Sequence, residues 1–395
     1  MQDNRFSLTR VRLKHYRSIA KADIRLGDLL FLVGPNGSGK SNVLDALRLL
    51  SEALQTSLDQ ALRSRGGVGE VRRRSTGHPH HFGIDLEFRG PGFSGSYGFE
   101  VGTGQGGGFK ITREECRVHT TGGSEPRHGY FKIRGGELVE HSEPVMPPSS
   151  EKRLYLVSAA GIGIFELVFE GLAGISVFSL NPDAMRDPQT PDSGEFLRRD
   201  GSNVASVLHR LDNAARGRIG DYLQTIVPGM HGVSRKDLEN WETLEFTQDV
   251  QGSDNPWRSQ THSVSDGTLR ALGVLVALFA DTGHTLSTIG IEEPESALHP
   301  AAAGALLDAL REASERRQVI IATHSPDLLD RNDFHPEELC AVRSVRGETR
   351  IGPLDQAGSL AMREHLHTPG NLLRTDQILP APEYLRMSEH SDPAS

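Results

Sequence analysis

The order of hydrophobic and polar residues predicts a strand, a loop and a helix close to the start of the chain. Hydrophobic and polar positions alternate around residues 6–13 and 22–26, which is typical of half-buried strands. Residues 29–33 are all hydrophobic, which indicates a fully buried strand. Over residues 41–50 the hydrophobic positions recur at helical spacing and form one apolar face. A short glycine-containing segment separates this strand from this helix.

The same succession of strand and helix returns near the end of the chain. Apolar strands are predicted at residues 286–291 and 318–322, on either side of a helix at about 301–316. Because a helix separates them, these two strands are expected to be parallel and to join residues 29–33 in one sheet. The pattern therefore predicts an α/β fold.

The middle of the chain shows two other patterns. Residues 82–150 contain much glycine, serine and proline with short alternating runs, which predicts antiparallel hairpins. From about residue 155 to residue 280 helical patterns return, interrupted by a turn-rich stretch at 181–194. We therefore expect a β insertion followed by a second, mainly helical lobe. Residues 376–395 are rich in proline and acidic side chains and are expected to be frayed or disordered.

Charge and composition exclude some classes of protein. The 395-residue chain has a net charge of −9, so it is not expected to coat nucleic acid or an anionic membrane over its whole surface. The longest strongly apolar run, residues 271–280, is much shorter than the ~20 residues of a membrane helix, and no secretory signal pattern opens the chain. A cytoplasmic protein without a membrane span is expected. Cys116 and Cys340 are too few for a disulfide framework or a zinc site.

The sharpest chemical signal lies between the first buried strand and the first helix. Residues 34–41 read GPNGSGKS and satisfy the pattern G-x-x-x-x-G-K-[ST]. Glycines let successive backbone N–H groups point at phosphate oxygens, and the helix N-terminus adds a favourable dipole. Lys40 is expected to reach the β and γ phosphates, and Ser41 to offer its hydroxyl to Mg²⁺. The predicted nucleotide-binding residues are Gly34, Pro35, Asn36, Gly37, Ser38, Gly39, Lys40, Ser41 and Asn42.

Two further signals stand at the ends of the later apolar strands. Glu292 and Glu293 follow one strand, and His324 follows the other. Ligands bind at the carboxyl edge of an open α/β sheet, where one acid can hold Mg²⁺ and its neighbour can orient or deprotonate an attacking water. His324 is a candidate sensor of the γ-phosphate because it is expected at the same edge.

A fourth signal is the start of the apolar helix that runs to residue 280. The sequence SDGTLR at residues 265–270 places Ser265 or Asp266 at the N-cap, and Gly267 leaves backbone N–H groups accessible. By itself this pattern is also typical of an ordinary capped and buried helix.

Taken together, these motifs resemble those of a known family. GPNGSGKSN, VSDGTLR, IEEPESALHP and IATHSPDLL occur in the order and character of the Walker A, signature, Walker B with D-loop, and H-loop of ABC-type ATPases. More specifically, the chain resembles the RecF-like predicted ATPases, in the wider group of RecF, SMC heads and the OLD ATPase domain, over roughly residues 8–360. The resemblance implies a P-loop ATPase head with a mixed central sheet, a β-hairpin insertion and a helical signature lobe.

The resemblance also implies roles for individual residues. ATP would lie between two copies of the chain and be hydrolysed to ADP and phosphate, so a homodimer is expected. Glu292 takes the Mg²⁺ position together with Ser41, Glu293 is the general base, His324 senses the γ-phosphate, and Arg17 in HYRSI approaches the phosphates. The signature residues that act on the partner's nucleotide are Ser265, Asp266, Gly267 and Thr268.

The chain departs from the family pattern at three points. Glu292 stands where ABC proteins usually have aspartate, so the roles of Glu292 and Glu293 could be exchanged. The signature has Asp266 where the transporter form has glycine. The glutamine of the Q-loop stays unassigned.

The resemblance divides the chain into five segments. These are residues 1–81 with Walker A as the first part of ATPase lobe I, 82–154 as the antiparallel β insertion, 155–280 as helical lobe II ending in the signature helix, 281–345 as the second part of lobe I with Walker B and the H-loop, and 346–395 as a C-terminal extension.

Several biological roles stay open at this level. In the first, ATP-driven closure acts on DNA in repair or maintenance, and a basic segment at residues 61–81 either contacts DNA phosphates or is a solvated loop. Its arginines are Arg63, Arg65, Arg72, Arg73 and Arg74.

In the second role, the protein is the ATPase sensor of a defence or toxin-like pair with a separate effector protein. A fused nuclease is disfavoured, since the residues after His324 contain no D-x-D pair. A transporter subunit is disfavoured by the long interval between Walker A and the signature, and a dimerising switch with negligible turnover is the non-enzymatic alternative.

Overall fold

The computed structural model describes residues 5–74, 80–104, 108–121, 127–250, 255–280 and 287–386. Its strands are β1 (Ser7–Tyr16), β2 (Ile19–Arg25), β3 (Leu29–Val33), β4 (His81–Gly90), β5 (Phe93–Thr103), β6 (Phe109–Thr120), β7 (His128–Arg134), β8 (Glu137–His141), β9 (Ile175–Phe178), β10 (Met230–Leu238), β11 (Trp241–Gln248), β12 (Trp257–Gln260), β13 (Thr288–Glu292), β14 (Gln318–Thr323), β15 (Leu339–Val345) and β16 (Glu348–Pro353).

The helices lie on both faces of the main sheet. They are α1 (Lys40–Gln55), α2 (Leu58–Arg63), α3 (Val68–Val71), α4 (Tyr155–Ala159), α5 (Gly163–Ala173), α6 (Pro182–Arg186), α7 (Val204–Arg210), α8 (Asn213–Ile226), α9 (Asp266–Phe279), α10 (Ala303–Ser314), α11 (Gln356–Arg363), α12 (Pro369–Arg374) and α13 (Pro382–Arg386).

One mixed sheet of thirteen strands organises the molecule, in the order β8-β7-β6-β5-β4-β1-β2-β16-β15-β3-β14-β13-β9. Strands β9, β13, β14, β3 and β15 run parallel, whereas β4 to β8 form an antiparallel array that joins the sheet through β1. The predicted α/β class with a mixed central sheet is therefore confirmed.

The register of the parallel strands brings the predicted motifs to one edge. Val33 at the end of β3 lies opposite Thr323 at the end of β14, and Glu292 at the end of β13 lies opposite Ala322. The three strands are short and almost fully buried, which is why each reads as an unbroken hydrophobic run. The loops that follow them consequently emerge side by side.

Two hydrophobic clusters cover the two faces of this sheet. The first contains α1, α5 and the inner face of the antiparallel strands, and the second contains α7 to α10. Helix α9 is apolar on nearly every side because it packs against α6, α7, α8 and α10. The region predicted as a helical lobe also carries a small antiparallel sheet of β10, β11 and β12.

The C-terminal region is more closely integrated than its composition indicates. Strand β16 lies in the main sheet between β2 and β15. Beyond it, α13 packs on β16, where the ring of Tyr384 covers Gly352. The expectation of a frayed end therefore does not hold for residues 376–386, because they have a folded surface to pack on. Residues 387–395, and Leu286 at the start of a predicted strand, lie outside the described residues.

Within the described ranges, no helix is long and apolar enough to cross a membrane. Cys116 and Cys340 are both buried and free. The same part of the chain contains no group of three or more His, Cys, Asp or Glu side chains arranged to hold a metal ion.

Candidate functional site

Residues 34–39 form a loop between β3 and α1 that curls around the side chain of Lys40. Gly39 has a φ of 102° and precedes the first residue of α1, a left-handed conformation that favours glycine. The ammonium of Lys40 donates hydrogen bonds to the carbonyl oxygens of Gly34 at 2.8 Å and Pro35 at 2.9 Å. Burial lowers the pKa of Lys40, and the negative charges of Glu293 and Glu295 oppose that shift. The lysine therefore occupies the concave side of the loop.

The β15–β16 hairpin supports this loop from the other side. A Cβ atom at Gly34 would lie 2.0 Å from the carbonyl oxygen of Val342, and one at Gly39 would lie 2.1 Å from Oγ1 of Thr349. Thr349 is buried and donates a hydrogen bond of 2.9 Å to the carbonyl of Ser38. The glycines are thus required by long-range contacts as well as by the loop itself.

The remaining loop residues present polar groups on the side where a phosphate is expected. Pro35, Asn36 and Gly37 are exposed, as is Ser41 in the first turn of α1. The hydroxyl of Ser38 is buried and has no hydrogen-bond partner among the described residues. An orphaned hydroxyl and a lysine bound only to backbone carbonyls are groups that a bound phosphate would satisfy, so these residues fit a nucleotide.

Asn42 and Arg17 have structural partners close to this loop. Asn42 donates to Oγ of Ser18 at 2.6 Å. Arg17 has a φ of 47°, and its guanidinium lies 2.8 Å from the carboxylate of Asp45 on α1. The approach of Arg17 to the phosphates stays a prediction, since in this structure its side chain is held by Asp45.

Glu293 and His324 come together from two neighbouring strands. Glu293 follows β13 with a φ of 47°, and its backbone N–H donates 2.8 Å to the carbonyl of Ala322 on β14. Its Oε1 atom then lies 3.1 Å from Nδ1 of His324, and Ser296 donates to its other oxygen at 3.2 Å. The preceding acid, Glu292, lies 3.9 Å from the guanidinium of Arg199. The edge therefore combines two acids and a histidine.

The signature residues form the capped start of α9. The side chain of Ser265 accepts from the backbone N–H of Thr268 at 3.2 Å, and the two hydroxyls are 2.9 Å apart. Gly267 is buried, and a Cβ atom there would lie 2.3 Å from the carbonyl of Ala297. Asp266 pairs with Arg186 at 2.5 Å. Within one chain, Ser265 and Asp266 are therefore the exposed members of the motif, whereas Gly267 and Thr268 are covered.

A family model described as "AAA domain, putative AbiEii toxin, Type IV TA system" matches residues 29–330, from the strand before the phosphate loop to beyond His324. The chain belongs to this AAA family. The matched range contains the Walker A, signature, Walker B and H-loop segments described above.

Relatives of known name agree with this assignment. The OLD nuclease of Thermus scotoductus is 25% identical over 371 residues, which cover 86% of this chain and 63% of that protein. RecF of Proteus mirabilis is 44% identical over 87 residues, which cover 21% of this chain and 22% of that protein. The chain thus matches less than two thirds of the length of these relatives.

Solved structures show the same fold. An Smc head bound to the C-winged helix domain of ScpA superposes with a TM-score of 0.54 at 15% identity and covers 89% of this chain and 99% of that one. The Smc head of Pyrococcus furiosus gives a TM-score of 0.55 at 14% identity, covering 91% and 99%. The AAA family member described here therefore resembles OLD and RecF proteins in sequence and has the fold of Smc heads, as its motifs predict.

Sequence reasoning missed two residues that reach the site of this AAA protein. Arg270, one turn into α9, places Nη1 at 3.5 Å from the backbone oxygen of Glu293. Burial lowers the pKa of Arg270, and the charges of Glu293 and Glu295 oppose the shift. Thr349 supports the phosphate loop from a strand more than 300 positions away. Arg270 is the last residue of the SDGTLR motif, but the motif alone does not indicate its contact with Glu293. Thr349 carries no local sequence signal, because its partner is distant in the chain.

Four arginines of the basic segment at residues 61–81 are ion-paired. Arg65 is buried against Asp45 at 3.0 Å, and Arg73 lies 2.9 Å from Glu348. The exposed pairs are Arg63 with Asp59, and Arg74 with Glu70. Much of the positive charge that suggested a DNA contact is thus used inside this AAA protein.

Proposed function

We propose that the protein binds ATP with Mg²⁺ and hydrolyses it to ADP and phosphate. The observation that carries this proposal is the pairing of Glu293 with His324 at the sheet edge where the phosphate loop also begins. A carboxylate beside a histidine at this position can accept the proton of a water that attacks the γ-phosphate. The matching family supplies further support, since its model is described as an AAA domain.

Each group of the site has a role in this reaction. Lys40 leaves the carbonyls of Gly34 and Pro35 and donates to phosphate oxygens. Glu293 takes the proton of the attacking water while His324 holds the γ-phosphate. Ser41 and Glu292 are the residues that would hold Mg²⁺, which supplies positive charge against the phosphates. Phosphate release measured on the purified protein tests the proposal, and its absence with both Mg²⁺ and Mn²⁺ would overturn it.

We further propose that two copies enclose the nucleotide, because Ser265 is exposed at the N-terminus of α9 and its side-chain partners among the described residues are all local. The test mixes Ser265→Arg protein with Lys40→Ala protein, each inactive alone. A mixed dimer has one composite site free of both lesions, so partial recovery of phosphate release is expected. A complete lack of recovery, with mixed dimers verified by differential tagging, would contradict the arrangement.

The proposed role of the ATP cycle is DNA repair or DNA maintenance. Support comes from the relatives, which are named as a DNA replication and repair protein and as a nuclease. Binding of labelled duplex, with and without ATP, tests the role. Because Arg73 and Arg74 are already paired, neutralising Arg72 to Arg74 is expected to weaken binding less than about tenfold. Complete absence of DNA binding in both nucleotide states would remove this role.

A second role is supported by the description of the matching family, which names a toxin and a type IV toxin–antitoxin system. In that role the protein is an ATPase sensor that signals to a separate effector protein. A toxin or nuclease gene beside this gene, whose product binds the purified protein only with ATP, would favour the sensor role. Isolation among unrelated genes would favour maintenance.

A further inference from the structure

Glu295 is a third carboxylate in the loop after β13, and its surroundings are unusual for a loop glutamate. Its Oε1 atom accepts a hydrogen bond of 2.5 Å from Oγ1 of Thr323. Its Oε2 atom is buried and has no hydrogen-bond partner among the described residues. Burial raises the pKa of Glu295, and the hydrogen bond from Thr323 opposes the shift. Burying a carboxylate oxygen is costly unless it is hydrogen-bonded or paired, and the bond from Thr323 offsets part of that cost.

Thr323 is the last residue of β14 and is fully buried. While its hydroxyl donates to Glu295, the same oxygen accepts the backbone N–H of Ser325 at 3.0 Å. The residue enclosed by this short turn is His324. One hydroxyl therefore closes the turn that carries the histidine and fastens that turn to the loop after β13.

A second connection joins the same two loops. The backbone N–H of Glu293 donates to the carbonyl of Ala322, the residue just before Thr323. The Glu293 and His324 side chains meet between the two connections, 3.1 Å apart. The backbone bond from Glu293 to Ala322 holds the start of the loop after β13. The hydrogen bond from Thr323 to Glu295 holds the same loop two residues further on.

We propose that Glu295 is a positioning residue, whose hydrogen bond to Thr323 holds His324 in place against Glu293. The inference rests on the proposed hydrolysis, since Glu295 acts on the reaction only through these two side chains. A displacement of about 1 Å in a catalytic group can reduce the rate on the order of 100-fold. Loss of the bond is therefore expected to lower kcat and to leave nucleotide affinity nearly unchanged.

The experiment compares pairs of variants at each end of the bond. Thr323→Val removes the hydroxyl with little change in volume, and Thr323→Ser keeps it. Glu295→Ala removes the acceptor, and Glu295→Gln keeps it. We expect the Val and Ala variants to lose roughly 10- to 100-fold in kcat, with the Kd for ATP, measured with a fluorescent analogue, within about twofold of the wild type. The Ser and Gln variants should stay within about threefold of the wild type.

The double variant Glu295→Ala with Thr323→Val separates a shared role from two independent ones. If the residues act through one bond, the double variant is no slower than the slower single variant. The proposal would be overturned if the loss of kcat in the double variant equalled the product of the losses in the two single variants. Equal losses in Glu295→Gln and Glu295→Ala would also overturn it, because they would assign the effect to the charge that Glu295 places near Lys40. The control for loss of a half-buried carboxylate is Glu312→Ala. Glu312 lies on α10 and accepts a hydrogen bond from Tyr222 on α8.

The same cycle followed by thermal unfolding without nucleotide measures the bond independently of turnover. Shifts of the midpoint should be non-additive if the hydrogen bond exists, and additive shifts would contradict it. An inactive wild-type protein would refute the proposed hydrolysis, whereas an active wild type with unaffected Val and Ala variants would refute only the role of Glu295.

Discussion

Nδ1 of His324 lies 3.1 Å from Oε1 of Glu293, although the two residues follow different strands. They meet because β13 and β14 are parallel, so that both chains leave the sheet at the same edge. The backbone of Glu293 is left-handed at this point, with a φ of 47°. Backbone strain of this kind costs of order 1–3 kcal/mol and is typical of functional sites.

Replacement of Glu293 is expected to separate nucleotide binding from hydrolysis. Glu293→Gln keeps the shape of the side chain but cannot accept a proton, so hydrolysis should slow by about 100- to 10,000-fold while ATP still binds. Single-turnover phosphate release and a direct binding assay measure the two effects. Glu292→Gln should instead weaken Mg²⁺-dependent binding. The reverse outcome would mean that the two glutamates have exchanged roles.

Two glycines of the phosphate loop form a matched pair for mutagenesis. Gly37 and Gly39 both have positive φ, but a Cβ atom meets nothing within 4 Å at Gly37 and meets buried Thr349 at Gly39. Gly37→Ala should therefore lower the free energy of unfolding only by the cost of a left-handed backbone, about 1–2 kcal/mol. Gly39→Ala should cost more and also abolish ATP binding. Thermal unfolding and binding measurements compare them, and equal effects would show that Thr349 does not restrict the loop.

Asp45 is predicted to be the most important charged residue for the stability of this region. It is bound by Arg17, Arg48 and the fully buried side chain of Arg65. Asp45→Ala would leave a buried guanidinium short of a partner, at a cost of about 3–5 kcal/mol. Asp59→Ala, which breaks the exposed pair with Arg63, should cost less than about 1 kcal/mol. Denaturant unfolding should show this contrast, and similar losses would argue against the buried network.

The same carboxylate should contribute to acid sensitivity. Burial would raise the pKa of Asp45, but the charges of Arg65 and Arg17 outweigh burial and the pKa is lowered from 3.8. Asp45 in the unfolded chain therefore binds a proton at a higher pH than in the folded chain. Its contribution to the free energy of unfolding is complete above the unfolded pKa of 3.8 and is lost as the pH falls through the lower pKa of the folded state. The stability of Asp45→Asn should depend less on pH in this acidic range. An unchanged pH profile would contradict the shift.

The two cysteines should be unreactive in the folded protein. Burial raises the pKa of Cys340 to about 12, and it raises the pKa of Cys116 well above its ordinary value. Because the thiolate is the reactive form, neither residue should react with a disulfide reagent at pH 8 until the protein is unfolded. Rapid reaction of one thiol in the native state would show that its surroundings open in solution.

The sequence determined the parts of the molecule that depend on neighbours in the chain. The spacing of hydrophobic residues predicted β3, α1, β13, α10 and β14 within a few positions. The residues between them identified the phosphate loop and the acids after β13. Such patterns are local, because a strand or helix needs its own periodicity and a phosphate loop needs its own glycines.

Only the tertiary structure decided which distant groups support or neutralise these motifs. Thr349 and Val342 cover the phosphate loop, Thr323 binds Glu295, and Glu348 takes up the charge of Arg73 from the segment that otherwise resembles a DNA contact. Each of these contacts joins residues that are far apart in the chain and are brought together by the order of strands in the sheet. No local pattern encodes that order, since it results from how all the hydrophobic faces are buried at once.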